Sequence, residues 1–160
     1  VPRPEWPYLF RVVSSDNERA EAVCSLMREK FGCKSVLYIA TDDLVGKLAK
    51  ETAIKYEKKR ALEIKDFVMV PPGTTDFYPF LSKALKSNPD YLHLKVPPGS
   101  AALIVKQSRE LGFKGHIGYP TSMPGDLEKW QGIAGVEVSK GFVAIMISPD
   151  LYSPLGVEAR

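Results

Sequence analysis

The sequence is short of most of what an active site is built from. Its 160 residues hold two cysteines and two histidines, with no G-x-G-x-x-G and no Walker-type loop. Neither a thiol-rich metal cage nor a phosphate cradle is therefore written into it. Cys24 lies on the apolar face of a predicted helix and Cys33 just past that helix's Gly32. Helix and cap would hold them about 13 Å apart at 1.5 Å per residue, beyond the roughly 4.4–6.8 Å Cα separation of a disulfide. Two buried thiols are expected. His93 and His116 fall within or at the edge of predicted strands, with no carboxylate or cysteine at ligand spacing, so a structural or surface place is expected for both.

Charge of one sign is scarce as well. Twenty-two Lys and Arg against 19 Asp and Glu leave a formal charge of +3, too little to argue for nucleic acid as a partner. The nearest basic cluster, Lys55, Lys58, Lys59 and Arg60, sits where a helix should end and reads as a solvated terminus. No apolar run reaches the roughly 20 residues needed to span a bilayer. The chain opens on Val1-Pro2-Arg3-Pro4-Glu5-Trp6-Pro7, not on a basic and then apolar leader. Without an initiator Met it is expected to be an excerpt or a processed chain.

What is present is an α/β pattern, with 44% apolar and 26% charged residues, enough to fill one sheet-and-helix core. The stretch Val70–Gly115 organises the rest. Pro71-Pro72-Gly73 closes a strand, and Thr75 or Asp76 can cap a helix from near Phe77 that buries Phe77, Phe80, Leu81, Ala84 and Leu85. Asn88-Pro89-Asp90 turns the chain into the strand Tyr91–Val96. Pro97-Pro98-Gly99-Ser100 then leads into a helix burying Ala101, Ile104, Val105, Ser108 and Leu111 and ending at Gly112.

Around this stretch, Tyr8–Val13 is β-prone. Ser14-Ser15-Asp16 can cap a helix with Ala20, Val23, Cys24, Met27 and Phe31 on one face. Ser35–Ala40 is a continuously apolar strand, as expected when both sheet faces are covered. A polar loop, Thr41–Gly46, precedes a helix with Val45, Leu48, Ala49, Thr52, Ala53 and Tyr56 on one stripe. Glu63–Val70 and His116–Tyr119 are strands, Thr121–Trp130 a loop and short helix, and Ile133–Val138 a fifth strand. Gly141–Ile147 is β-prone again, and a proline-rich tail follows.

Strands and helices therefore alternate from Ser35, which predicts a doubly wound, mainly parallel five-stranded sheet with helices on both faces. The common strand order 2-1-3-4-5 has its switch point between the first and third strands, and ligands bind at the carboxyl ends beside it. Those ends are the loops Thr41–Gly46 and Lys95–Ser100, with Tyr119–Met123 beyond. They offer hydroxyls, a carboxylate pair and apolar contacts, which suits binding more than turnover. Asp42 and Asp43 with a metal, in a receiver-like α/β domain, are the catalytic alternative.

The segments YLFRVVSSD, VLYIATDDLVGKLA, PPGTTDFYPFLSKALKSNPDYL and IVKQSRELGFKG follow one another over residues 8–119. In their order and spacing the chain resembles the periplasmic solute-binding proteins of the branched-chain amino acid type, two-lobed receptors that deliver small molecules to ABC transporters. The resemblance implies the second, Rossmann-like lobe alone. It divides the chain into an extension and crossing strand at 1–13, the α/β lobe at 14–140, and a return strand and tail at 141–160. It further implies hinge closure over an amino acid or related organic acid, a membrane permease as partner, and a periplasmic or lipid-anchored location. No cofactor, metal or catalytic residue is implied.

The ligand contacts expected on this basis are Asp43, Leu44, Val45, Val96, Pro97, Pro98, Thr121 and Ser122. Amino-acid binders of the family commonly carry aromatic residues where this chain has Val45, Pro97 and Pro98, and a carboxylate where it has Thr121. A buried ammonium needs a countercharge, so the cargo is expected to rely on Asp42 or Asp43, or to lack an amino group. A cytoplasmic sensor of the same fold is the other expectation.

Overall fold

The first helix begins where a serine and a glutamate three residues apart can satisfy each other's backbone. In the computed structural model, which describes residues 15–119, 127–135 and 142–144, Ser15 caps α1 (Asp16–Ser25) in a capping box with Glu18. The helix loosens into one π-helical turn, Leu26–Lys30, and leaves through Gly32 at φ +69°. Ala20, Val23, Cys24 and Met27 are buried as their spacing predicts, whereas Phe31, beyond the widened turn, is 39% exposed and stacks on His116.

Strand β1 (Ser35–Thr41) is buried along its whole length, the mark of a central strand covered on both faces. Helix α2 (Leu44–Lys59) and strand β2 (Glu63–Val70) follow, then α3 (Tyr78–Ala84), β3 (Tyr91–Lys95), α4 (Pro98–Glu110), β4 (His116–Tyr119), α5 (Leu127–Ala134) and β5 (Phe142–Ala144). The five strands run in the order β2-β1-β3-β4-β5, every pair parallel. The switch point falls between β1 and β3, where the alternation of elements puts it.

Right-handed crossovers place α1 and α2 on one face and α3, α4 and α5 on the other, and the core divides accordingly. Leu37, Ile39, Leu92, Leu94, Ile104 and Ile117 belong to the purely apolar α3–α5 side. On the α1–α2 side, Val23, Cys24, Met27, Val36, Ala53 and Tyr91 pack around a polar centre. There Glu57, with no exposure, accepts hydrogen bonds from the hydroxyls of Tyr38 at 2.5 Å and of Tyr91. His93, 3% exposed, stacks on Tyr38 at 4.3 Å. His93 has no carboxylate or cysteine at ligand spacing along the chain, yet the fold brings Glu57 and Cys24 beside it. Cys24, Glu57 and His93 come from three elements, and spacing along the chain cannot show it.

Other departures have local causes. The fifth strand is Phe142–Ala144, and Ile133 belongs to α5. Trp130 and Ala134, four residues apart, are its buried side, and Gly135 at φ +87° ends it. Neither Thr75 nor Asp76 is the N-cap of α3. Phe77 holds that position, its N–H donating to the buried side chain of Gln107 at 2.7 Å, while Asp76 accepts only from the Tyr78 N–H at 3.1 Å. Leu111 is 40% exposed rather than buried, because α4 ends at Glu110, one residue before it. Phe80 and Leu85 are only partly buried against the core. Both cysteines are buried free thiols, as expected. The runs Tyr8–Val13 and Thr121–Gly125 and most of Val136–Ile147 lie outside the described residues.

Candidate functional site

The carboxyl end of β1 turns sharply into α2. Asp42 N–H donates to the Val70 carbonyl at 2.7 Å, which pins the turn to β2, and Asp43 N–H donates to Thr41 at 2.9 Å. Asp43 then caps α2, its Oδ1 accepting the Gly46 N–H at 2.8 Å. The expected polar loop Thr41–Gly46 is thus shorter than its composition suggests, because the Asp43 cap starts the helix at Leu44. Gly46 is there for space. A β-carbon on it would lie 1.8 Å from the Thr41 carbonyl oxygen, so only glycine lets the first turn fold back on the strand.

The carboxyl end of β3 makes the facing wall. Lys95 is its last residue, half-buried, and Val96 is 6% exposed. The Val96 carbonyl accepts from the Tyr119 hydroxyl at 3.1 Å, tying this corner to β4. Pro97 stands before α4 in extended conformation, and Pro98 is its first residue, where the missing N–H costs nothing.

Between the two corners lies a cleft of about 220 Å³ lined by Thr41, Asp43, Val45, Lys95, Val96 and Pro97. Asp43, Val45, Val96 and Pro97 of the expected contacts are thereby brought together. Leu44, 72% exposed, and Pro98 do not line it, and Thr121 and Ser122 lie outside the described residues. Thr41 and Lys95, which open the two loops expected at the strand ends, line it as well but were not among the expected contacts. Both are the final residues of strands flanking the switch point, which is the signal that could have found them.

A second cavity, about 340 Å³, adjoins the first and shares Val45 and Lys95 with it. Leu48 and Thr52 of α2 line its side, and Tyr38 and His93 its floor. The stripe expected along α2 is corrected here: Val45 and Leu48 are 55% and 54% exposed. Beyond the first turn the buried residues of the helix are Ala53, Tyr56 and Glu57.

The cleft offers one carboxylate, Asp43, and one ammonium, Lys95, on otherwise apolar and backbone surfaces. Among the described residues its lining includes no histidine, cysteine or serine. Asp42 points away, 3.6 Å from the Lys47 ammonium and largely exposed, while Asp43 spends one oxygen on the helix cap. The two are not paired about a common point, as a metal would need.

A family model of periplasmic binding proteins matches residues 2–154. The chain belongs to the periplasmic binding protein family. Solved structures agree on the fold. A leucine binding protein from Thermotoga maritima is 24% identical, with a TM-score of 0.79 over 93% of this chain and 42% of its own. A substrate-binding periplasmic protein from Ralstonia solanacearum is 21% identical, with a TM-score of 0.78 over 95% and 43%. A branched-chain amino acid ABC transporter periplasmic ligand-binding protein from Burkholderia xenovorans is 21% identical, with a TM-score of 0.72 over 81% and 34%. The chain spans less than half the length of each. A comparison with curated proteins gives no match. In doubly wound sheets generally, ligands lie at the carboxyl ends of the strands beside the switch point, the place this cleft occupies.

Proposed function

We propose that this chain is the second lobe of a solute receptor serving an ABC importer, and that it takes one side of a small amino acid or organic acid in the cleft between β1 and β3. The observation that carries the reading is the cleft's composition: Asp43 and Lys95 set opposite charges among Val45, Val96 and Pro97. Lys95 is suited to a carboxylate and Asp43 to an ammonium or hydroxyl, with the apolar residues against the ligand's hydrocarbon part. Closure of a partner lobe over the cleft would expel water and strengthen both contacts. Binding is followed by delivery to a membrane permease, in the periplasm or from a lipid anchor, without chemistry on the ligand.

The test is a thermal-shift screen of the two-lobed receptor containing this chain, against amino acids and against the matching acids without the amino group. Stabilisation by small carboxylates is expected. Selective response to leucine, isoleucine or valine assigns Asp43 the ammonium, and response only to the des-amino acids leaves it to a hydroxyl or to water. Silence from both classes overturns the reading. In titration calorimetry the isolated 160-residue chain is expected to bind these ligands weakly or not at all, and micromolar affinity would sink the two-lobe clamp.

A further inference from the structure

The polar centre under α1 and α2 is not explained by packing or by the solute cleft. Cys24 of α1, Glu57 of α2 and His93 of β3 are all buried, and one ligand atom from each lies within 4.8 Å of the others. The hydrogen bonding there is incomplete. Glu57 Oε1 takes both tyrosine hydroxyls, yet Glu57 Oε2 and His93 Nδ1 have no hydrogen-bond partner. His93 Nδ1 stands 3.6 Å from Glu57 Oε1, too far for a hydrogen bond between them. Two unpartnered buried polar atoms side by side are costly, at about 1–3 kcal/mol each.

We propose that Cys24, Glu57 and His93 bind a divalent transition-metal ion of zinc's kind. One ion would satisfy both unpartnered atoms at once. A thiolate, an imidazole and a carboxylate are the donor types zinc takes, at about 2.0–2.3 Å, so neighbouring ligand atoms of a tetrahedral site stand about 3.3–3.6 Å apart. The three ligand atoms lie within 4.8 Å of one another, and side-chain adjustments of roughly 1–1.5 Å bring them to that spacing. Charge balances as well, since a thiolate and a carboxylate neutralise a divalent cation in a buried site.

The surroundings fit. Tyr38 and Tyr91 hold Glu57 through Oε1 and leave Oε2 to the metal, the way outer hydrogen bonds usually orient a ligating carboxylate. His93 and Tyr38 also form the floor of the 340 Å³ cavity beside α2. Of the trio only His93 borders that cavity, and a water or small molecule reaching the ion past His93 would complete the fourth position. The site shares no residue with the solute cleft, so the two proposals stand or fall separately.

The experiment titrates the 160-residue chain with zinc chloride against a chromophoric chelator, and with cobalt chloride by absorption spectroscopy. One zinc per chain is expected. The cobalt form is expected to show tetrahedral d–d bands with a thiolate-to-cobalt charge-transfer band. Cys24→Ser and His93→Gln should each weaken zinc binding at least as much as the roughly 10- to 100-fold that outer-shell losses cost, while Cys33→Ser and His116→Gln leave it unchanged. Should the core variants not fold, the cobalt spectra of the wild-type and Cys33→Ser chains decide alone. No zinc bound, a cobalt spectrum without the thiolate band, or binding that survives Cys24→Ser and His93→Gln overturns the proposal.

Discussion

The Thr41 carbonyl oxygen occupies the space a side chain on Gly46 would need, with 1.8 Å to an added β-carbon. Gly46→Ala must therefore push the first turn of α2 off β1, moving Asp43 and Val45 with it. The expected cost is about 2–4 kcal/mol in urea unfolding, at the upper end of overpacking. Gly99→Ala is the control. It lies in the first turn of α4 with nothing within 4 Å of the added carbon, and should be neutral or stabilising by up to about 1 kcal/mol.

Asp43 serves the helix and, on our reading, the ligand, and two substitutions separate these roles. Asp43→Ala removes the cap on Gly46 N–H and should cost about 1 kcal/mol of stability. Asp43→Asn keeps a good cap and loses only the charge. In the two-lobed receptor, Asp43→Asn should leave the melting temperature of the ligand-free protein near wild type and weaken an amino-acid ligand about 10-fold or more. Unchanged affinity in Asp43→Asn would remove Asp43 from the site.

Asp90 joins the amino end of β3 to that of β1. Its Oδ2 accepts from the N–H of Lys34 at 2.7 Å, from the N–H of Ser35 at 2.8 Å and from the Ser35 hydroxyl at 3.0 Å. Partial burial raises the carboxyl's pKa, but these donors outweigh it and hold it below the usual aspartate value. A depressed folded-state pKa gives stability that is present above the unfolded value, near 3.9, and lost as pH falls through the folded one. Asp90→Asn should cost about 1 kcal/mol at neutral pH, discounted for the exposure of the group. The difference from wild type should shrink as pH falls below about 4. Urea midpoints measured between neutral pH and pH 2.5 check both statements, and a difference independent of pH would disprove the second.

Gln107 is a buried amide on α4 that serves a different segment. Its Oε1 accepts from Phe77 N–H at 2.7 Å and its Nε2 donates to the Thr75 carbonyl at 3.0 Å. Gln107→Leu keeps the volume and strands both backbone groups, at a cost of about 2–4 kcal/mol. Hydrogen exchange at Phe77 should accelerate more than at Leu92 in β3, because the loss falls on the start of α3 and not on the sheet.

The scaffold was legible because its signals are local and repeated. The cap candidates Ser14-Ser15-Asp16, the apolar run from Ser35 and Pro98 at a helix start each act over a few residues, and alternation alone set the strand order. The site was half legible. Topology pointed to the cleft, and Asp43, Val45, Val96 and Pro97 line it, while Thr41 and Lys95 open the expected loops without having been singled out. What the sequence hid were contacts between distant elements. Glu57 looks like one more acid among the lysines of α2, and its burial comes from Tyr38 and Tyr91, 19 and 34 residues away. Gln107 is similarly 30 residues from Phe77. A periodic stripe showed which side of α2 is apolar, not how much of it the sheet would cover.

Helix α2 is fastened at both ends. Asp43 and Gly46 lock its start to β1, and Lys59 and Arg60 clasp Glu21 and Glu29 at the other. A 16-residue helix held this way behaves as a rod about 24 Å long. Its near tip carries Val45, a lip of the cleft, and its far tip lies on the opposite rim of the sheet. The clasp therefore stands about a helix length from the cleft, so that a label at Glu29 would sit clear of it at the loss of the Glu29–Arg60 ion pair.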